Sequence, residues 1–206
     1  MFKKFSLLRP ILAILIIFIP LYPKFPLFNV DGTYVAIRLD DIVVAISVFF
    51  YLIYQIKNHF LIFKQKITLL FFAYFTAITI STITAIIIFQ TDPTNILLLN
   101  LFRRFEYISL FFITIETLRQ SVNLKPYYLF LLFTTIGVAV YGFGQKYFSF
   151  PVVSTMNSEF SKGQLLQMNT WTRISSTFAG HYDLAVYLSL VLIIIGVVLS
   201  FKKIFS

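Results

Sequence analysis

The sequence contains no cysteine, two histidines and few charged residues. Without cysteine the chain cannot form disulfides, iron–sulfur clusters or cysteine-ligated zinc sites. Charged residues make up 12% of the 206 positions and hydrophobic residues 59%, whereas about a quarter of a typical soluble domain is charged. This composition excludes an ordinary soluble domain and indicates an integral membrane protein.

Six apolar segments approach the length of about 17–25 residues that a spanning helix needs, provided that their ends extend into the interface. They are predicted at Leu7–Tyr22, Ile42–Ile56, Ile67–Phe89, Ile96–Leu118, Tyr127–Gly142 and Leu184–Phe201. A helix is one of only two ways in which a chain satisfies its backbone groups in lipid. The sequence therefore predicts an all-α, polytopic membrane protein with about six transmembrane helices, forming a single transmembrane domain over residues 1–206.

The formal net charge of +9 is explained by membrane topology. Most basic residues outside the apolar segments lie at the ends of the chain and in alternate connections, namely Lys3, Lys4, Arg9, Lys57, Lys64, Lys66, Arg119, Lys125, Lys202 and Lys203. In the first outer connection Lys24 and Arg38 are outnumbered by Asp31, Asp40 and Asp41. By the positive-inside rule this pattern predicts that both termini are cytoplasmic and that the long connection, residues 143–183, faces outward. Because no basic stripe is interleaved with stacking aromatics in a polar context, nucleic acid is excluded as a partner.

The fourth segment carries charges inside an apolar run, "NLFRRFEYISLFF". Arg103 and Arg104 lie about 10 Å inward from Ile96 at 1.5 Å per residue, where an unpaired charge costs about 2.5–3.5 kcal/mol. Arg103 and Glu106 are three residues apart and can form an ion pair on one helix face. Alternatively, Arg103 or Arg104 lines an outward cavity and binds an anionic lipid headgroup such as a diphosphate, or the segment ends lie elsewhere.

The motif "RLDD" at 38–41 opens the second segment. Asp40 and Asp41 are suited to a helix N-terminus because their charge complements the helix dipole. Helix capping is therefore the first interpretation, and contact with a cation or a substrate is the alternative.

The end of the long connection holds a second polar set. Ser176 and Thr177 stand in a turn of small residues that could leave backbone N–H groups free to bind an anion, and Arg173 would add a fixed positive charge. His181 and Asp183 do not suffice for zinc, since the other histidine is on the opposite predicted side. No metal site is predicted, and these two residues are expected to cap or orient the sixth helix.

Residues 173–188, "RISSTFAGHYDLAVYL", resemble a motif of bacterial O-antigen ligases and O-antigen polymerases. The family pattern runs from an arginine through "GTF" or "STF" and a small turn to "LA-x-YL". Here "STF" stands at 176–178 and "LAVYL" at 184–188, and the earlier "YGFGQKYF" and "RLDD" also fit. The sequence departs from the family at "AGHYD", which stands where the family has a Gly-Asn-Pro-Asn turn.

The resemblance implies a multi-pass protein of the bacterial plasma membrane that takes a glycan from an undecaprenyl-diphosphate carrier and passes it on at the outer face. It implies no metal or other cofactor, and it assigns the donor diphosphate to Arg173. Family members have more spanning helices and a second, larger outer loop with the catalytic histidine. That function is not transferred to His181, and no catalytic residue is assigned. The chain is expected to be an incomplete, donor-binding half of such an enzyme.

Two other functions stay open at this stage: a small six-helix transporter component, and a non-catalytic membrane scaffold. The predicted substrate-binding residues are Arg173, Ser176, Thr177, Arg103 and Arg104. The residues predicted to be structural or orienting are His181, Asp183, Glu106, Asp40 and Asp41. Membrane lipid and the lipid-linked glycan are the expected partners, and the sequence does not indicate an oligomeric state.

Overall fold

The structure is a computed structural model of the protein. It describes residues 7–29, 36–60, 66–89, 94–121, 123–154, 165–166 and 172–200. Helices account for 78% of these residues. The helices are α1 Leu8–Leu21, α2 Leu39–Lys57, α3 Lys66–Thr84, α4 Thr94–Gln120, α5 Lys125–Tyr147 and α6 His181–Ser200. Two short antiparallel ribbons lie in connections: β1 Pro26–Asn29 pairs with β2 Ala36–Arg38, and β3 Val152–Val153 pairs with β4 Leu165–Leu166. The predominantly helical architecture agrees with the sequence, which did not predict the ribbons.

Within the described residues, four helices are long and apolar enough to cross a membrane. They are Leu39–Lys57, Lys66–Ile88, Lys125–Tyr147 and His181–Ser200. Helix α1 has 14 residues, so it is about 21 Å long, against a hydrocarbon core of about 30 Å. Helix α4 is long enough at 27 residues, but several charges interrupt its apolar sequence. Six spans therefore stay a prediction.

Hydroxyl side chains within the apolar helices bond to their own backbones. Thr76 donates to the Phe72 carbonyl at 2.9 Å in α3, and Ser189 donates to the Ala185 carbonyl at 2.8 Å in α6. Such bonds one turn back satisfy a hydroxyl group without water, which is the condition that a hydrocarbon environment imposes. Helix α3 continues into a π-helical turn at Ala85–Phe89.

The chain divides into two compact units, and the first contains Val44–Thr117 together with the chain up to Leu8. In this unit α3 and α4 pack through aromatic rings. The ring centroids of Phe71 and Phe112 are 5.1 Å apart, and those of Phe75 and Phe105 are 4.1 Å apart. Leu69 of α3 is 75% exposed. Such apolar surface is suited to contact with lipid.

The second unit contains Arg9–Val43 and Leu118–Ser206. Helices α1 and α5 approach closely where Leu21 lies against Gly137, because a Cβ atom on that glycine would be 2.7 Å from Leu21 Cδ2. Helices α5 and α6 are joined by the hydroxyl groups of Thr135 and Tyr187, which are 2.9 Å apart. This unit therefore provides the helical frame for the connection between α5 and α6.

The fifth and sixth helices are longer than the predicted apolar segments. Helix α5 ends at Tyr147 rather than Gly142, and α6 begins at His181 rather than Leu184. Glycine lowers helix propensity by about 1 kcal/mol relative to alanine, so the local sequence favours an end near Gly142. In the structure the helix continues past Gly142. The ring of Phe150, from the following connection, packs against Gly144 where a side chain would otherwise lie. Tertiary packing thus overrides local propensity at this helix end.

Candidate functional site

A buried glutamine holds the end of the α5–α6 connection against α5. Gln145 Nε2 donates to the Ser176 carbonyl, and the Ser176 N–H group donates to Gln145 Oε1, both at 2.8 Å. The same Nε2 group donates to the Pro151 carbonyl at 3.2 Å. Gln145 is 2% exposed, so its amide supplies partners for loop backbone groups that water does not reach.

The hydroxyl groups of Ser176 and Thr177 are also turned inward. Ser176 Oγ donates to the Val138 carbonyl of α5 at 2.6 Å, and Thr177 Oγ1 donates to the Pro20 carbonyl of α1. The two residues are 3% and 2% exposed. Both hydroxyl hydrogens are therefore engaged in packing the loop onto helices. The geometry favours a structural part for this pair, and its assignment to substrate binding stays a prediction.

The turn at Ser176 has a backbone conformation that is uncommon for a residue with a side chain. Its φ angle is 53°, in the left-handed region that sterically disfavours residues other than glycine. Gly142 of α5 lies beneath the turn, and a Cβ atom there would be 3.1 Å from Ile174 Cγ2. Such a conformation persists when surrounding contacts determine it, and the Gln145 bonds provide those contacts.

Arg173 is exposed and lies two residues before this buried turn, which begins at Ser175. Its Nη1 atom is 3.5 Å from His181 Nε2, a weak contact at the limit of hydrogen bonding. Within the described part of the chain, Arg173 forms no ion pair with a carboxylate.

His181 begins helix α6, and its first-turn N–H groups have no acceptors within the helix. The Leu184 N–H group donates to the Gly180 carbonyl at 3.3 Å and so closes the first turn. Asp183 lies in that turn and is exposed, where its charge favours the helix start. Arg173, His181 and the first turn of α6 together form what we call the Arg173 site.

The charged residues Arg103, Arg104 and Glu106 of the fourth predicted segment belong to the first unit, whereas the Arg173 site belongs to the second. Arg104 Nη1 donates to the Tyr74 hydroxyl of α3 at 2.9 Å. Arg103 and Glu106 are half-buried on α4. The Arg103–Glu106 ion pair and the binding of a headgroup by these arginines stay predictions.

The two aspartates at the start of α2 have different partners. Asp41 Oδ2 accepts the Arg38 N–H group at 2.9 Å, which is the second half of a capping box. Asp40 Oδ2 is 2.6 Å from Lys24 Nζ, and the two side chains are 14% and 9% exposed. Lys24 Nζ also donates to the Ile19 carbonyl at 2.9 Å. The lysine therefore ties the last turn of α1 to the first turn of α2.

Sequence reasoning did not find Lys24 and Gln145 as organising residues. Lys24 entered only as one charge of an outer connection, and its partner is 16 residues away. Gln145 entered only within "YGFGQKYF", and its partner is 31 residues away. Neither pairing follows a helical or strand spacing, so no local pattern indicates it. The sequence feature that could have pointed to these two residues is the presence of a polar side chain among apolar neighbours.

Among the described residues no three His, Asp or Glu side chains come together in a group that could hold a metal ion. Searches against family models, curated proteins and solved structures found no match to this chain. The functional proposal therefore rests on the sequence motif and on the geometry of the Arg173 site.

Proposed function

We propose that the chain is a multi-pass protein of the bacterial plasma membrane that binds the diphosphate of an undecaprenyl-diphosphate-linked glycan, as a protein similar to O-antigen ligases and polymerases. In this proposal α1 and α4 join the four apolar helices to make six spans, and both termini are cytoplasmic. The basic residues Lys57, Arg119 and Lys125 stand at helix ends that would face inward, which supports this orientation. The Arg173 site then faces outward.

The observation that carries the proposal is an exposed arginine, without a carboxylate partner among the described residues, beside a buried, hydrogen-bonded turn. A guanidinium group presents two parallel N–H donors that match the oxygens of a phosphate. The N-terminus of α6 adds unpaired N–H groups and the positive end of a helix dipole. His181 lies beside Arg173, with Nε2 3.5 Å from Arg173 Nη1. These groups together suit a diphosphate.

The same groups would assist the transfer reaction at its leaving group. In the transfer, an acceptor hydroxyl oxygen forms a bond to the anomeric sugar carbon and loses its proton to water or to the leaving diphosphate. The bond between that carbon and the diphosphate oxygen breaks, and its electron pair passes to that oxygen. A fixed positive charge lowers the energy of this developing anion. Because the turn after Arg173 is buried and bonded to α5, the backbone that carries the guanidinium group is already in place before the donor binds.

Titration of the purified chain with undecaprenyl diphosphate tests the proposal. We expect Arg173→Ala to weaken binding by about 10- to 150-fold, since a hydrogen bond to a charged group contributes about 1.5–3 kcal/mol. Because Arg173 is exposed, the thermal stability of the variant should match that of the parent chain. The affinity of Arg173→Lys for the donor should lie between those of the parent chain and Arg173→Ala, because lysine keeps the charge but loses the bidentate geometry.

Arg119→Ala is the matched control, since Arg119 is an exposed arginine in the last turn of α4. It should bind the donor as the parent chain does. Equal binding by the parent chain and Arg173→Ala would remove Arg173 from the site.

The charged stretch of α4 favours a transporter component as the second candidate. Charged residues within a helix of membrane-spanning length commonly mark a polar pathway, and the Arg104–Tyr74 hydrogen bond links α4 to α3 in that region. A transporter would lose flux in proteoliposomes on Arg103→Ala. A non-catalytic scaffold would tolerate both Arg103→Ala and Arg173→Ala without loss of surface glycan.

A further inference from the structure

We infer that a groove in the first unit binds one acyl chain of an anionic phospholipid. The groove has a volume of about 570 Å³ and lies among α2, α3 and α4. Its walls include Val48 and Leu52 of α2, Phe72 of α3, and Phe105 and Phe112 of α4. Sites for small ligands have volumes of about 300–1,000 Å³ and predominantly apolar walls. This site is separate from the residues that bind the donor in the proposed function and does not depend on them.

The length of the groove fits one leaflet of a bilayer. Along α3 its lining extends from Thr68 to Ile80, which is about 18 Å at 1.5 Å per residue. Half of the hydrocarbon core is about 15 Å thick. Both α2 and α3 are apolar enough to span a membrane. A groove of this length, between two such helices, matches a lipid chain that lies along the helix axis.

One end of the groove carries a buried polar group that needs a partner. Gln55 is 2% exposed, and its Nε2 group donates to the Tyr51 hydroxyl at 2.7 Å. No described residue donates a hydrogen bond to Gln55 Oε1. A buried carbonyl without a donor is unfavourable by about 1–3 kcal/mol. A lipid whose headgroup carries a hydroxyl group would supply the donor.

Basic residues stand at the same end as Gln55. Lys57 is two residues beyond Gln55 in α2, and Lys66 is two residues before Thr68 in α3. Two residues correspond to about 3 Å along a helix, and both lysines are exposed. The polar end of the groove is therefore close to positive charges, which attract an anionic headgroup. Phosphatidylglycerol combines the required negative charge, hydroxyl donor and acyl chain.

Native mass spectrometry of the detergent-purified full chain tests this inference with added phosphatidylglycerol or phosphatidylcholine. We expect one phosphatidylglycerol molecule to be retained through delipidation, and at least tenfold less phosphatidylcholine. A phosphatidylglycerol concentration about one hundred times its Kd should raise the Tm of the chain by about 5–10 °C. Equal retention of the two lipids, or retention of detergent alone, would overturn the inference.

Three substitutions test this groove against ordinary lipid contact. Thr79→Phe places a ring in the groove and should abolish retention. Ala77→Phe adds the same ring at an exposed position of α3 outside the groove and should retain the lipid. Gln55→Leu should keep the fold and lower the affinity for phosphatidylglycerol about tenfold, which is the loss of one hydrogen bond of ordinary strength. Retention by Thr79→Phe at the level of the parent chain would show that the lipid binds elsewhere.

Discussion

Gln145→Leu is expected to destabilise the chain by about 2–6 kcal/mol. Leucine has a similar size but cannot bond to Ser176, so one buried N–H group and one buried carbonyl lose their partner. Each such group costs about 1–3 kcal/mol when it is left unpaired. The Pro151 carbonyl loses a donor as well. Equilibrium unfolding in mixed micelles, followed by circular dichroism, measures the change in the free energy of unfolding.

Gln55→Leu is the matched control, since Gln55 is an equally buried glutamine in another helix. Among the described residues its side chain makes one hydrogen bond, to Tyr51, and none to loop backbone. In lipid-free micelles we expect it to change the free energy of unfolding by less than about 1.5 kcal/mol. Gln145→Glu should destabilise the chain as well, because a buried carboxylate would face the Ser176 and Pro151 carbonyls to which the amide now donates. Equal stability of Gln145→Leu and the parent chain would contradict the structural function of Gln145.

Lys24→Met is expected to destabilise the chain by about 3 kcal/mol. The substitution leaves the Asp40 carboxylate, which is 14% exposed, without its cation and removes a donor from the Ile19 carbonyl. Removing one partner of a fully buried ion pair costs about 3–5 kcal/mol. The partial exposure of Asp40 places the expected value at the lower end. Chemical unfolding at neutral pH, followed by far-ultraviolet circular dichroism, measures the change in the free energy of unfolding.

A double-mutant cycle separates the ion pair from simple packing. Lys24→Met combined with Asp40→Leu removes both charges, and such apolar replacement of a buried pair is often neutral or stabilising. We therefore expect the double variant to recover at least about half of the loss seen in Lys24→Met alone. Additive losses in the two single variants would show that Lys24 and Asp40 do not act as a pair.

The apolar segments predicted the helices well because their signal is local. The apolar runs around α2, α3, α5 and α6 are long, and a helix satisfies all the backbone hydrogen bonds of such a run within the run itself, as a hydrocarbon environment requires. The same signal is weaker for α1, which has 14 residues, and for α4, which carries charges. The sequence alone therefore supports the helical class more strongly than the number of spans.

The candidate site shows which inferences need three-dimensional structure. The sequence suggested a turn before the sixth helix with Arg173 beside it, because small hydroxyl residues and a basic residue are adjacent there. The direction of the Ser176 and Thr177 hydroxyl groups could not be inferred, since their acceptors are carbonyls of α5 and α1. Those acceptors are 38 and 157 residues away, and no spacing rule connects them.

Direct contact between Arg173 and the donor is the most decisive observation to make. Solid-state NMR can measure dipolar coupling between nitrogen-labelled arginine side chains and the phosphorus atoms of bound undecaprenyl diphosphate. We expect coupling in the parent chain, coupling of the same size in Arg119→Lys, and its loss in Arg173→Lys, because lysine carries no labelled guanidinium group. Coupling that persists unchanged in Arg173→Lys, or that is absent from the parent chain with donor bound, would contradict the assignment of Arg173 to the diphosphate.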